Sequence, residues 1–191
     1  LLYCDSIIIK EDSEIKCRVL SNGKWSKKVK ANYYKIDNSK SINIESKYAN
    51  QYAAAGDKTM IDNLRGGTNY RTGNWQGFRE NLIATIDLGK SKKINSITLG
   101  CMQDIKSWIF FPKNVEFLIS NNNIDFKSIG KLNTDYTNIE EGAFVNDYTI
   151  VSEDSKARYI KVKAKNYGIL PKWHLGAGGK SWLFVDEIIV K

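Results

Sequence analysis

The chain has 191 residues, of which 42% are hydrophobic and 26% charged, ordinary values for a globular protein that buries a core. No apolar run approaches the roughly 20 residues of a membrane-spanning helix, so an integral helical membrane protein is excluded. The net charge of +8 is compatible with nucleic acid, anionic surfaces or acidic glycans, but the scattered lysines favour a solvated basic surface.

The chain opens with Leu-Leu-Tyr-Cys and without an initiator methionine, so we expect a fragment whose signal peptide lay upstream. Cys4, Cys17 and Cys101 lack CxxC spacing, which argues against a zinc site. Cys4 and Cys17 could pair across adjacent strands or remain free thiols, and Cys101 alternates with apolar neighbours as a core residue would. The cysteines therefore do not indicate whether the protein resides in an oxidising or a reducing compartment.

The sequence pattern of residues 1–36 predicts three strands, which are too few to enclose a core of their own. The strand-like pieces are residues 6–10, 14–20 and 29–36. Either they pack on the remaining chain, or the rest of their module lies upstream. Polar, turn-forming residues follow at 37–41, so we place a boundary there and predict a small β segment at 1–38 and a main domain at 39–191.

The alanine-rich start of residues 53–61 predicts a short helical turn, after which residues 60–78 contain four glycines and two arginines, with the aromatic residues Tyr70 and Trp75 beside them. Each glycine would cost a helix about 1 kcal/mol relative to alanine, and a central strand does not tolerate so many glycines. We predict a long, shaped loop that presents hydrogen-bond donors and flat rings.

Beyond this loop the hydrophobic period is two, and no stretch keeps a period of 3.6. The predicted strands are residues 82–88, 94–101, 115–119, 126–130, 158–165 and 183–190, with only weak strand signal at 131–147. Many short strands separated by turns indicate an antiparallel β-sandwich. Residues 103–112 and 166–182 resemble 60–78 in composition, so we expect three loops of this kind, clustered at one end of the sandwich.

Catalytic chemistry has few candidates in this sequence. His174 is the only histidine, no nucleophile elbow accompanies it, and neither a metal-ligand set nor a phosphate-binding loop is present. The acidic residues fall mostly on turns and outward strand positions. We therefore expect a binding module rather than an enzyme.

Sugar-binding sites combine one or two aromatic platforms with a few fixed polar groups, and the three loops supply both. The candidate carbohydrate-binding residues are Tyr70, Arg71, Gln103, Asp104, Trp108, Trp173 and His174. Trp108 and Trp173 lie among turn residues and are expected to be exposed, whereas Trp75 and Trp182 could instead fill the sandwich. His174 could equally stabilise its own loop by hydrogen bonds.

Several segments resemble a known family. The Asp62-Asn63 pair, LIATIDLGK, NVEFLISNNNIDFKSIG, ARYIKVKA and FVDEIIV occur in the order seen in discoidin-like domains, the coagulation factor five/eight type C domains that include family 32 carbohydrate-binding modules. The resemblance runs from about residue 41 to 191. The three loops resemble those of C-terminal modules of bacterial exo-glycosidases such as β-N-acetylhexosaminidases, and residues 1–36 resemble half of a fibronectin-like or chitobiase C-terminal module.

The resemblance implies an all-β fold, an antiparallel eight-stranded jelly-roll sandwich that follows a partial fibronectin-like β segment, with ligands bound by loops at one end. It also implies a structural calcium ion (Ca2+) near Asp62, Thr68 and Glu187. Here Asn63 replaces the glycine that usually follows the aspartate, and an insertion separates Asp62 from Trp75.

We therefore expect a non-catalytic module that anchors a parent glycoside hydrolase to galactose- or N-acetylhexosamine-terminated glycans. The parent would be bacterial and extracellular, periplasmic or on the cell surface. The alternatives are a structural domain that packs on its catalytic domain without binding sugar, and adhesion to anionic lipid or protein surfaces. Nucleic-acid binding is not expected, and membrane binding is not favoured.

Overall fold

The computed structural model describes residues 5–11, 13–33, 38–137 and 140–191. The chain divides into two compact units, Leu1–Asp37 and Asn38–Lys191. Within the described residues, no helix has both the length and the apolar composition to cross a membrane.

Within its described residues, the first unit contains four short strands: β1 (Ser13–Cys17), β2 (Leu20–Ser21), β3 (Lys24–Trp25) and β4 (Val29–Tyr33). Strand β1 pairs with β4, and β2 with β3, in both cases antiparallel. The strand predicted at residues 6–10 was wrong, because its described residues are irregular. Nearly every described side chain of this unit is exposed, and Cys17 is a free, exposed thiol. Cys4 lies outside the described residues.

The described residues of the second unit, 38–137 and 140–191, form seven strands and four short 3₁₀ helices. The strands are β5 (Ser41–Ile44), β6 (Gln76–Phe78), β7 (Leu82–Asp104), β8 (Asn114–Ser120), β9 (Lys127–Asn133), β10 (Ala143–Lys165) and β11 (Leu183–Val190). The 3₁₀ helices are Asn50–Tyr52, Gly56–Ile61, Tyr70–Thr72 and Ile105–Ser107. All strand pairs are antiparallel, in the order β6-β11-β7-β10-β8-β9, and β5 also pairs with β7.

Strands β7 and β10 pair with each other along nearly their whole length and bend together. Register shifts occur between Val151 and Ser155 and between Ala157 and Tyr159. On one side of the bend β5, β8 and β9 complete one sheet, and on the other side β6 and β11 complete the second. The sandwich fold is thereby confirmed. The segments predicted as separate strands at 82–88 and 94–101 are two halves of β7.

The core lies between the two sheets. Inward-facing residues such as Leu99, Phe117, Ile160 and Val185 are fully buried, and they come from β7, β8, β10 and β11. Burial of each such side chain contributes roughly 2 kcal/mol. Cys101 belongs to this cluster, as its alternation predicts.

Of the predicted loop at 60–78, residues 62–75 lie across the outer face of the second sheet, whereas Gln76–Phe78 form strand β6 and correct the loop prediction there. Trp75 is 1% exposed and packs with Met102 and Phe184, whose side chains point away from the main core. Gly66 is necessary here, because a Cβ at this position would lie 2.1 Å from the Trp75 ring. This packing fixes the position of Tyr70, which contacts the same cluster.

Candidate functional site

Strand register brings several chain segments to one end of the sandwich, which we call the loop end. Ala143 pairs with Asp104, Ala164 with Leu82, and Phe184 with Met102. Residues 79–81, 105–113 and 166–182 therefore leave the sheets at the same end.

Hydrogen bonds hold the 166–182 loop in one conformation. Asn166 Oδ1 accepts from the Gly168 amide at 2.7 Å and from Ser181 Oγ at 2.6 Å. The Trp182 amide donates to the Trp108 carbonyl at 2.8 Å, which joins this loop to the 105–113 loop. The two loops therefore form one hydrogen-bonded unit.

His174 links the same two loops through its ring. The Gly176 amide donates to Nδ1 at 2.9 Å, so Nε2 carries the proton and donates to the Ile105 carbonyl at 2.8 Å. Both ring nitrogens are thus used within the protein, and the residue is only 7% exposed. The geometry makes His174 a positioning residue for the loop end.

Two tryptophans reach the surface of the loop end, as the sequence predicts. Trp108 is 37% exposed, and its backbone is left-handed with φ 65°. Its ring lies directly against Gly176, where a Cβ would come within 2.6 Å. Trp173 is 59% exposed, and its ring lies 5.8 Å from that of His174.

A continuous series of ring contacts connects these tryptophans to the predicted loop at 60–78. We call it the aromatic row, and it runs through Arg71, Tyr70, Tyr52, Trp182, Arg79, Trp108, His174 and Trp173. The guanidinium of Arg79 lies 4.1 Å from the centre of the Trp182 ring and 6.0 Å from that of Trp108. Its Nη1 donates to the Lys180 carbonyl at 2.9 Å. Arg79 therefore joins the two halves of the row.

The aromatic row includes five of the seven predicted carbohydrate-binding residues, and Gln103 and Asp104 lie apart from it. Gln103 is 6% exposed, and its Nε2 donates to the Glu140 carbonyl at 3.3 Å. It lines a separate cavity of about 170 Å³ beside Phe111 and Phe144. Asp104 accepts from Ser107 Oγ at 2.7 Å and so stabilises the turn at 105–107.

Sequence reasoning missed Arg79, Tyr52 and Trp182 as members of the row. Arg79 and Tyr52 lie outside the three glycine-rich loops or at their edge, and Trp182 was left open as a residue that could fill the sandwich. Their contacts join positions about a hundred residues apart, so local composition carries no signal for them.

The predicted metal ligands lie elsewhere, at the start of the 60–78 loop. Glu187 is 2% exposed and accepts from the Asn63 amide at 2.9 Å. Burial, followed by the charge of Asp62, raises the pKa of Glu187 to about 8, and burial also raises the pKa of Asp62. Asn63 has φ 63°, a conformation that asparagine adopts more readily than most residues, which explains how it can replace glycine. Thr68 is exposed.

The aromatic row contains no carboxylate. Among the described residues, no group of three or more His, Cys, Asp and Glu side chains has a metal-binding arrangement. The row can therefore contact an apolar ring face and donate hydrogen bonds, whereas it offers no pair of groups for acid–base catalysis.

The chain belongs to the F5/8 type C domain family, whose model matches residues 35–184. This family defines the fold of the second unit. No curated protein sequence matches the chain significantly.

Two examples represent the solved structures that share the fold. One is CpGH89CBM32-5 from Clostridium perfringens in complex with GalNAc-β-1,3-galactose, with 19% identity, a TM-score of 0.53, and coverage of 80% of this chain and 94% of that chain. The other is a fucolectin from the serum of striped bass, Morone saxatilis, with 21% identity, a TM-score of 0.52, and coverage of 80% and 46%.

Proposed function

We propose that the second unit binds glycans through the aromatic row and catalyses no reaction. The observation that carries this proposal is that Trp108 and Trp173 are exposed on loops fixed by hydrogen bonds. A sugar ring has an apolar C–H face that stacks on an indole, and its hydroxyl groups accept hydrogen bonds from neighbouring side chains. Pre-formed rings lose little conformational entropy on binding.

The comparisons support this proposal at the level of the fold. The Clostridium perfringens module was solved with a disaccharide of N-acetylgalactosamine and galactose, and the fish protein is a lectin. We therefore propose galactose- and N-acetylhexosamine-terminated glycans as the first ligands to test.

We further propose that the unit anchors a glycoside hydrolase of which it forms part, outside the bacterial cytoplasm. The basis is the likeness of its three loops to those of exo-glycosidase C-terminal modules. Tethering would raise the local concentration of substrate even if a single site binds weakly.

A glycan array that includes these terminal sugars tests the proposal. We expect binding by the wild type and loss of binding in Trp108→Ala and Trp173→Ala. Failure of the wild type to bind any sugar on a broad array would contradict glycan binding. Release of 4-nitrophenol from aryl glycosides by this chain alone would contradict its non-catalytic character.

One observation favours a second candidate, a domain that packs on its catalytic domain without binding sugar. Leu175 is fully exposed, Ile169 is 58% exposed, and both lie on the Trp173 loop. A protein interface would bury these apolar side chains. Calorimetric titration with the isolated catalytic domain tests it, because Leu175→Asp would weaken such docking and leave sugar binding unchanged.

We also propose a structural calcium ion at Asp62 and Glu187. Their paired carboxylates fit a hard cation, and a positive charge between them would offset their repulsion. Thr68 and backbone carbonyls of the same loop would supply further oxygen ligands. We expect calcium to raise the melting temperature of the wild type but not of Glu187→Gln. Equal shifts in both proteins would contradict the site.

A further inference from the structure

The loops of the aromatic row carry charge of one sign only. Residues 63–79, 105–113 and 166–182 contain no aspartate or glutamate, although the whole chain has 21 acidic residues against 29 basic ones. Their charged residues are Arg65, Arg71, Arg79, Lys106, Lys113, Lys172 and Lys180. The excess positive charge of the protein is therefore concentrated beside the exposed rings.

Some of these cations already have partners. Arg65 pairs with Asp147 and Asp186, and Lys106 lies 3.6 Å from Glu141. Lys113 lies 5.3 Å from the Tyr167 ring.

The other four cations have no carboxylate partner within the described part of the chain; two of them belong to the aromatic row, and two lie on the loop that carries Trp173. They are Arg71, Arg79, Lys172 and Lys180. The acidic residues at the loop boundaries are engaged elsewhere, since Glu80 accepts from the Lys47 amide at 2.6 Å and Asp104 accepts from Ser107. No acidic side chain of these loops therefore neutralises the four cations.

Arg79 has the most defined position of the four. Its stacking on Trp182 and the hydrogen bond from Nη1 to Lys180 fix the guanidinium between two indoles. No described acceptor takes a hydrogen bond from Nε or Nη2, so donors remain for a ligand. A fixed guanidinium with unused donors matches a carboxylate or sulfate, which accepts two parallel hydrogen bonds.

We propose that the aromatic row selects acidic glycans, sugars that carry a carboxylate or sulfate group. The sugar ring would contact Trp108 or Trp173, and its anionic group would accept hydrogen bonds from Arg79 and lie near Lys180. This inference rests on the proposed glycan binding and specifies its ligand class. A glycan fits better than a bare anionic surface because each of the two arginines of the row lies over a flat ring.

Three sugars that differ only at C6 test the inference, namely galactose, galacturonic acid and galactose 6-sulfate, together with the corresponding glucose series. In calorimetric titrations at low salt, we expect at least one acidic sugar to bind about tenfold more tightly than its neutral counterpart. The difference should shrink at high salt, where charges are screened.

Variants with a matched control show whether the preference for the acidic sugar comes from the aromatic row. Arg79→Gln should remove the preference, so that the acidic and the neutral sugar bind this variant with equal affinity, and Lys180→Gln should reduce the preference if Arg79→Gln fails to fold. Lys90→Gln removes one exposed charge at the strand bend, far from the loop end, and should change nothing.

Each contrary result has a distinct meaning. Equal affinity for neutral and acidic sugars would overturn this inference and leave glycan binding intact. An equal effect of Lys90→Gln and Arg79→Gln would show non-specific attraction and also overturn it. Binding to phosphatidylglycerol vesicles with no binding to any sugar would overturn both proposals.

Discussion

Trp108 depends on a single glycine for its position. Its indole occupies the space where any other residue at 176 would place a Cβ, and the amide of the same glycine donates to His174. The ring of His174 in turn holds the Ile105 carbonyl, three residues before Trp108. One small residue thus sets both the ring position and the hydrogen bond that joins the loops.

Gly176→Ala should displace the Trp108 indole and weaken glycan binding about tenfold, because an added methyl group would overlap the ring. Titration of the best ligand from the array measures this loss. Gly67→Ala is the matched control, since no atom lies within 4 Å of its added Cβ. Unchanged affinity in Gly176→Ala would contradict the role assigned to the Trp108 ring.

At the scale of elements, the 60–78 loop is held on its sheet by one arginine. Arg65 lies over Gly100 of β7 and contacts Asp147 of β10 and Asp186 of β11. The Asp186 side chain is fully buried. Burial raises its pKa, and the adjacent Arg65 opposes that effect.

Arg65→Gln should destabilise the unit by about 3 kcal/mol, because it leaves the Asp186 carboxylate buried without its cation. Urea unfolding followed by circular dichroism measures the change. Arg71→Gln is the control and should be neutral, since Arg71 is exposed and has no ion pair with a described residue. A stable Arg65→Gln protein would show that packing alone holds the loop.

Strands β7 and β10 are also joined near their bend by the ion pair of Asp87 and Arg158, with two hydrogen bonds of 2.8 Å. The hydrogen bond from Arg158 lowers the pKa of Asp87 below its ordinary value. The pair therefore contributes stability above the unfolded-state pKa, and that stability is lost as the pH falls through the folded-state pKa.

Between pH 5 and pH 3, we expect the free energy of unfolding to fall less steeply in Arg158→Gln than in the wild type. Urea unfolding at several pH values provides the comparison. If the free energy of unfolding fell equally with pH in the two proteins, the Asp87–Arg158 pair would contribute nothing to the loss of stability in acid.

At the scale of the whole molecule, alternation predicted the sandwich and most of its strands. It missed the first half of β10, because exposed Asn146 interrupts the apolar face that buried Tyr148 and Ile150 continue. The alternation pattern also predicted two separate strands where β7 is one, because Gly89 is a typical turn residue although it lies within a continuous bent strand.

The site was predictable only in part, for a physical reason. Trp108 and Trp173 lie among turn residues, which indicated their exposure. The burial of Gln103 and the position of Arg79 depend on contacts between distant segments, which composition does not reveal. The lack of acidic residues in 63–79, 105–113 and 166–182 was visible in the sequence, but the net charge of the whole chain does not reveal it.

The central claim is that exposed indoles on fixed loops bind glycans. The most direct test is calorimetric titration of the best ligand into the wild type, Trp173→Ala and Trp25→Ala. Trp25 is 54% exposed in the first unit and provides a matched surface tryptophan. We expect Trp173→Ala to lose at least about tenfold in affinity, whereas Trp25→Ala should bind as the wild type does. Equal affinities in all three proteins would contradict it.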